Sequence, residues 1–192
     1  MNFTKKEPTI ILISGKARSG KSTVAKIIED SLKENKKIVV SPYTKYLKMY
    51  IEEITNTKIT DTNKPRDLLQ KISSELIKKE LTNPNLLITR QLEDLEIYSY
   101  FMDVVIIPDV RFKEELEIIK EKFKNVISIR VIRNNYQSDL TEEQKNDITE
   151  TALDDYNNYD YIIINDGITT LKEASNKIIN DLNKKEGILW IK

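Results

Sequence analysis

A continuous apolar run, Thr9 to Ser14, leads directly into Gly15-Lys16-Ala17-Arg18-Ser19-Gly20-Lys21-Ser22. This eight-residue stretch matches the pattern G-x-x-x-x-G-K-[ST] in full. Only four glycines occur in the chain, and two of them sit at the spacing the pattern requires. Behind it, Lys21 to Glu34 carries Val24, Ile27, Ile28 and Leu32 at helical spacing. A buried strand, a glycine-bounded loop and an amphipathic helix in this order leave little freedom of fold class. The strand belongs inside a parallel sheet, and the helix must pack back on it.

The residue types of the loop explain its chemistry. Glycines let the backbone curl so that successive amides point at one anion. The helix adds unpaired amides and the positive end of its dipole. Lys21 is placed to neutralise the β- and γ-phosphates of a nucleotide, and the Ser22 hydroxyl to bind Mg²⁺. The alternative, a turn that merely joins strand to helix, would not require lysine and serine after the second glycine.

The remainder alternates in the same manner. Strands are expected at Ile38–Ser41, Val104–Ile107, Val126–Val131 and Tyr161–Ile164. Helices are expected over Lys45–Thr55, from Pro65 with a stripe of Leu69, Ile72 and Leu76, and over Pro84 to about Tyr100. Phe112, Leu116, Ile119 and Phe123 mark another helix, and Ile168, Leu171, Ile178 and Leu182 a last one. The pattern predicts one α/β domain over residues 1–192 with helices on both faces of a parallel sheet. Residues 42–102 are expected to form a helical, acceptor-binding region within it, and the polar stretch 134–158 is either a lid or a surface excursion.

Composition closes off other chemistries. There is no cysteine and no histidine, which excludes disulfides, thiol or serine–histidine catalysis and histidine metal sites. Lysine plus arginine number 31 and aspartate plus glutamate 31, so the net charge is zero. That balance argues against nucleic acid or an anionic membrane as the main partner. No apolar run approaches the roughly 20 residues that span a bilayer, and the N-terminal residues lack a signal-peptide pattern. A cytoplasmic location is expected.

The loop implies nucleotide binding, and other motifs bear on its use. A GTPase would carry D-x-x-G after a strand and N-K-x-D, and neither occurs. Asp109 follows the third strand at the edge where ligands bind in open α/β sheets. It either orders Mg²⁺ and phosphates or caps the next helix. Arg111 either clamps a phosphate or forms a surface ion pair. Arg18, Lys48, Arg66, Arg130 and Arg133 also lie near strand or helix ends. Together they are the cationic set that phosphoryl transfer between two polyanions needs.

At these positions the chain resembles the deoxynucleoside monophosphate kinases of phages, a branch of the P-loop kinases related to animal-type phosphomevalonate kinase. Ile13 to Lys21 is similar to the family's loop with its internal arginine. Tyr43 to Lys48 is similar to its F-A-x-P-L-K segment, and Pro65-Arg66-Asp67-Leu68-Leu69-Gln70 to its P-R-x-L-L-Q helix start. Asp109-Val110-Arg111-Phe112 with Glu115 resembles D-V-R-F-P-N-E. Thr149-Glu150 resembles a late S-E pair, and Ile164-Asn165-Asp166-Gly167 the closing I-x-N-x-G. The resemblance implies a three-layer αβα fold with a five-stranded parallel sheet in the order 2-3-1-4-5.

It also implies roles. Gly15, Lys16, Ala17, Arg18, Ser19, Gly20, Lys21, Ser22 and Thr23 would bind ATP phosphates, with Asn165 and Gly167 beside the adenine. Lys48, Arg66, Gln70, Arg111 and Glu150 would line the acceptor site. Ser22 and Asp109 would serve Mg²⁺. Lys21, Arg18, Asp109, Arg111 and Arg133 would carry the catalysis. The chain departs from the pattern at Ser22, where aspartate is frequent, and at Lys113, Glu114, Ser73 to Glu75, Lys78 and Asp147. These departures cluster on the acceptor and lid sides.

The expected activity is transfer of the γ-phosphoryl group of ATP, with Mg²⁺, to a nucleoside or deoxynucleoside monophosphate by a monomer or homodimer. Two alternatives stay open: a kinase for another small phosphate such as phosphomevalonate, and a nucleotide-binding regulator with little turnover.

Overall fold

The computed structural model describes residues 3–60, 65–81, 83–134 and 140–189; at 66, 78 and 185–189 it describes the backbone alone. Five strands form one sheet: β1 (Thr9–Ser14), β2 (Ile38–Val40), β3 (Val104–Val110), β4 (Val126–Ile132) and β5 (Tyr161–Ile164). All pair in parallel in the order β2-β3-β1-β4-β5. The expected three-layer αβα fold and its 2-3-1-4-5 order are both present.

The centre of the sheet follows from its most apolar run. Ile10, Ile11, Leu12 and Ile13 of β1 are all fully buried, as a strand covered on both faces requires. Alternate residues face opposite layers. Ile10 and Leu12 join Val105 and Ile107 in a core closed by α2 (Thr44–Thr55), α4 (Leu86–Tyr98) and α5 (Lys113–Lys122). Ile11 and Ile13 join Ile106 and Ile129 against α1 (Lys21–Leu32) and α8 (Ile168–Leu189).

Two sequence expectations shift. The third strand runs on to Val110 instead of stopping at Ile107, and its register slips: Leu12 faces Ile107, but Ser14 faces Val110. The slip spans Pro108, which lacks the N–H a regular ladder would use. Asp109 therefore lies inside an irregular strand end and not after the strand.

The second shift concerns α3 (Arg66–Lys71), which continues as a π-helical turn, Ile72–Glu80. The Leu81 amide reaches back to the Leu76 carbonyl, a five-residue step of 2.9 Å. This wider turn rotates the apolar face. Leu69 is buried as expected, but Leu76 is 44% exposed and Ile77 takes the inward place at 3%. Likewise Ile168 of the expected final stripe is exposed, while Leu171, Ile178 and Leu182 are buried.

Among its described residues, the polar stretch 134–158 contains two short helices, α6 (Glu142–Asn146) and α7 (Ile148–Thr151). Thr141 and Gln144 form a capping box on α6. The Asp147 carboxylate accepts from the Thr149 amide at 2.9 Å and so opens α7. Residues 135–139, within the expected lid, lie outside the described residues. No helix among the described residues is long and apolar enough to cross a membrane.

Candidate active site

The loop between β1 and α1 has the backbone its sequence requires. Gly15 has φ +151° and Gly20 φ +108°, and Arg18 between them is also left-handed at φ +61°. A Cβ on Gly15 would lie 2.4 Å from the Val131 carbonyl oxygen, and one on Gly20 would lie 2.7 Å from Nδ2 of Asn165. Both glycines therefore serve close approach as well as curvature. The gap at Gly20 lets Asn165, at the end of β5, donate from Nδ2 to the Ser19 carbonyl at 2.7 Å. Its Oδ1 accepts from the Gly167 amide at 3.1 Å. Asn165, held in turn by the Gly167 amide, thus braces the loop between β1 and α1.

Lys21 is buried, and its Nζ donates to the carbonyls of Gly15 and Lys16, each at 2.7 Å. Burial, and then the positive field of Arg111, pull its pKa down to about 7. A neighbouring anion would offset the cost of keeping this ammonium charged. Ser22 and Thr23 follow it, exposed, at the start of α1. Curled backbone, buried lysine and exposed hydroxyls fit a triphosphate with its magnesium. Ser22 supplies a hydroxyl and Asp109 a carboxylate, the hard oxygen ligands that Mg²⁺ takes.

Asp109 has a structural duty of its own. One carboxylate oxygen accepts from the Tyr43 amide at 2.8 Å and the other from the Thr44 amide at 2.9 Å. It caps α2, not the helix that follows it in sequence. At that following helix, α5, the N-cap is Phe112, and Glu115 at the third helical position reaches back to it. Its Oε2 accepts from the amides of Arg111 at 2.7 Å and Phe112 at 3.0 Å. Each Asp109 oxygen retains further acceptor capacity.

Arg111 is brought against the loop between β1 and α1. Its Nη1 lies 3.4 Å from the Gly15 carbonyl, 3.2 Å from the Thr149 carbonyl and 2.8 Å from Oε1 of Glu150. The Glu150 side chain is only 6% exposed. Its other oxygen accepts from the Ala17 amide at 2.7 Å. Gln70 of α3 joins the group by donating from Nε2 to Oγ1 of Thr149 at 3.4 Å. Four segments distant in sequence thus meet at the sheet's C-terminal edge.

The remaining expected residues distribute unevenly. Lys48 is half-buried one turn into α2. Arg66 begins α3, and its side chain lies outside the described residues. Arg133 stands at the end of β4, with Nη1 3.5 Å from the Arg18 carbonyl. A cleft of about 880 Å³ opens beside the loop, with Lys16, Arg130, Arg133 and Lys145 among its cations and Glu150 and Asp154 among its anions. Asp154 accepts from Lys16 at 2.8 Å and Arg130 at 3.4 Å. Lys145 and Asp154 carry no local motif; only the folding of 140–158 over the loop brings them there.

No family model matches the sequence, and no curated protein does. The fold is shared with solved kinases. Shikimate kinase from Bacteroides thetaiotaomicron aligns with TM-score 0.52 at 15% identity, over 91% of this chain and 98% of its own. The Mycobacterium tuberculosis APS kinase in complex with AMPPNP and APS aligns with TM-score 0.51 at 11% identity, over 93% and 99%. The likeness is one of architecture: this chain has the P-loop kinase fold.

Proposed function

We propose that this protein moves the γ-phosphoryl group of ATP to a nucleoside or deoxynucleoside monophosphate. The observation that carries the reading is the placement of Arg111 against Gly15. It puts a cation for a second anion beside the loop that suits a triphosphate. The kinase fold supports phosphoryl transfer, and the motif resemblance supports a monophosphate acceptor.

In this reading Lys21 and the loop amides hold the donor, while Arg111, Arg66, Gln70 and Lys48 hold the acceptor phosphate. An acceptor oxygen forms the new bond to the γ-phosphorus as the bond to the β-bridging oxygen breaks, leaving ADP. The acceptor phosphate is already ionised near neutral pH, so the lack of histidine costs nothing. The protein's part is alignment and charge neutralisation. Mg²⁺, held by Ser22 with Asp109, would neutralise phosphate charge when bound. Arg18 or Arg133, adjacent at the loop, meets the transferring group; such an arginine is worth about 10³–10⁵ in rate. Segment 140–158, already packed on the loop, excludes water from the reaction.

A second reading has one observation in its favour. Arg111 is already paired to Glu150, so the chain could bind nucleotide and transfer little. A screen of ribo- and deoxyribonucleoside monophosphates with Mg-ATP and coupled ADP detection separates the two. Acceptor-dependent ADP release supports transfer. Nucleotide binding without ADP release from any acceptor supports the regulator.

A further inference from the structure

Two strands flank β1 in the sheet, and each brings an arginine to the start of the loop. On the β3 side it is Arg111, next to Val110, which pairs with Ser14. On the β4 side it is Arg130, which pairs with Ser14 itself. The phosphate chemistry above gives Arg130 no part. Its side chain is only 12% exposed. The guanidinium lies over the Tyr159 ring, 6.0 Å from the centroid, and the Ser14 hydroxyl donates to the Tyr159 hydroxyl at 3.0 Å. The ring thus props Arg130 beside the residue that leads into Gly15. Lys16, Ala17 and Ser19 of the loop line the cleft of about 880 Å³ together with Arg130.

Among the described residues, the hydrogen bond of this guanidinium goes to Asp154, from Nη2 to Oδ1 at 3.4 Å. The other Asp154 oxygen accepts from Nζ of Lys16, in the loop, at 2.8 Å. One carboxylate therefore bridges two cations, one oxygen on each, as a phosphate would. Asp154 is 39% exposed, and an ion pair so open to water holds weakly. A guanidinium carries five N–H donors, so a nearly buried one with a single long bond has capacity for a stronger acceptor. After burial and the field of Arg111, Arg130 is the next cation whose field pulls the Lys21 pKa down. The lysine of this motif serves the β- and γ-phosphates. Arg130 thus stands at that end of a triphosphate on the loop.

We propose that Arg130 is a ligand of the donor's γ-phosphoryl group, and that this phosphate replaces the Asp154 carboxylate on it. The inference rests on the reading of the loop as the site of the donor triphosphate. Arg111 then serves the acceptor from the β3 side, and Arg130 serves the donor from the β4 side. A guanidinium takes a phosphate through two parallel N–H bonds, an arrangement the single 3.4 Å bond to Asp154 does not use. A terminal phosphate also carries more charge than a carboxylate, so the exchange favours it. ADP lacks that group and leaves Asp154 in place. Arg130 therefore makes the site prefer the triphosphate donor over its diphosphate product.

Binding, not turnover, tests this. Calorimetry with Mg²⁺ compares ADP with AMPPNP, an ATP analogue that keeps the γ-phosphoryl group and resists hydrolysis, for the native chain, Arg130→Met, Arg130→Lys and Asp154→Asn. The native chain should bind AMPPNP about tenfold or more tightly than ADP. Arg130→Met keeps a stem against Tyr159 and should cut that preference to about threefold or less, with ADP affinity within about twofold of native. Arg130→Lys keeps the charge without the fork and should fall between the two; it decides the matter where Arg130→Met disturbs folding. Asp154→Asn removes the competing charge, so the preference should hold or rise. A merely structural Arg130 would weaken both nucleotides alike. That result overturns the proposal, as does a native chain without the preference, a preference that survives both Arg130 substitutions, or one that Asp154→Asn abolishes. The two readings fail separately. An Arg130-dependent preference without ADP release from any acceptor sinks phosphoryl transfer and leaves Arg130 a phosphate ligand. Acceptor-dependent ADP release with a preference indifferent to Arg130 does the reverse.

Discussion

The carboxylate of Glu150 accepts a hydrogen bond from the Ala17 amide at 2.7 Å, so an acid from α7 occupies an amide of the loop after β1. Its other oxygen holds Arg111 at 2.8 Å. One buried side chain therefore ties the loop after β1 to Arg111, the residue proposed above to hold the acceptor phosphate. Glu150 acts here as a positioning residue: it fixes the guanidinium next to Gly15 and folds segment 140–158 onto the loop.

Glu150→Ala should break both ties. It leaves Arg111 without its anion and should destabilise the fold by about 1–3 kcal/mol. The acceptor KM should rise by about tenfold or more, with a smaller change in ATP affinity. Glu150→Gln keeps an acceptor for Ala17 and loses the charge, so it should retain stability better than it retains acceptor affinity. Thermal melts and steady-state kinetics of the two variants check this, since a purely structural glutamate would move both quantities together.

If Lys21 meets the nucleotide as proposed, its lowered pKa should make nucleotide binding pH-dependent. In the free protein it is pulled down to about 7 by burial, and a bound polyanion favours the charged form and raises it. Below about pH 7 the lysine is already protonated, and affinity should be flat. Above it, binding must take up a proton, and affinity should fall by up to about tenfold per pH unit. Calorimetry at pH 8 in buffers of different ionisation enthalpy should show proton uptake approaching one per nucleotide. Lys21→Arg should abolish the uptake.

The two glycines should differ in tolerance. Alanine at either costs about 1–2 kcal/mol for left-handed backbone alone. At Gly20 the added methyl meets the Asn165 amide, a side chain able to move; at Gly15 it meets the Val131 carbonyl, which is backbone. Gly15→Ala should therefore lose more stability than Gly20→Ala. Denaturation midpoints of the two variants decide the order.

Asp109 separates capping from metal binding. Asp109→Ala removes the acceptor for two α2 amides and should cost about 1–2 kcal/mol. Asp109→Asn keeps one oxygen for the cap and should recover part of that. If the carboxylate also serves magnesium, the Asn variant should need markedly more Mg²⁺ for half-maximal activity at near-native stability. An unchanged Mg²⁺ requirement would leave Asp109 a cap alone.

What can be foreseen from the sequence is mostly local. The unit of β1, loop and α1 declares itself because an apolar run, two spaced glycines and a helical stripe lie next to one another. The strand end at Pro108 to Val110 does not, because proline interrupts the ladder without ending the strand. A helical period of 3.6 places Leu76 inward where Ile77 is found, since it cannot anticipate a π-helical turn. Motif resemblance points to Asp109, Arg111 and Glu150 as site residues. It cannot supply their partners: Asp109 caps a helix about 65 residues earlier in the chain, and Glu150 reaches Ala17 across 133 residues. Such pairings are products of topology.

The proposed function depends first on the loop after β1 holding a nucleoside triphosphate through its amides and Lys21. Titration calorimetry of Mg-ATP into the native protein and into Lys21→Ala measures it. Saturable heat at one site is expected for the native chain, and a loss of affinity of about 100-fold or more in the variant, with both proteins equally folded by circular dichroism. No saturable heat for the native chain, or equal affinity in the two proteins, would contradict it.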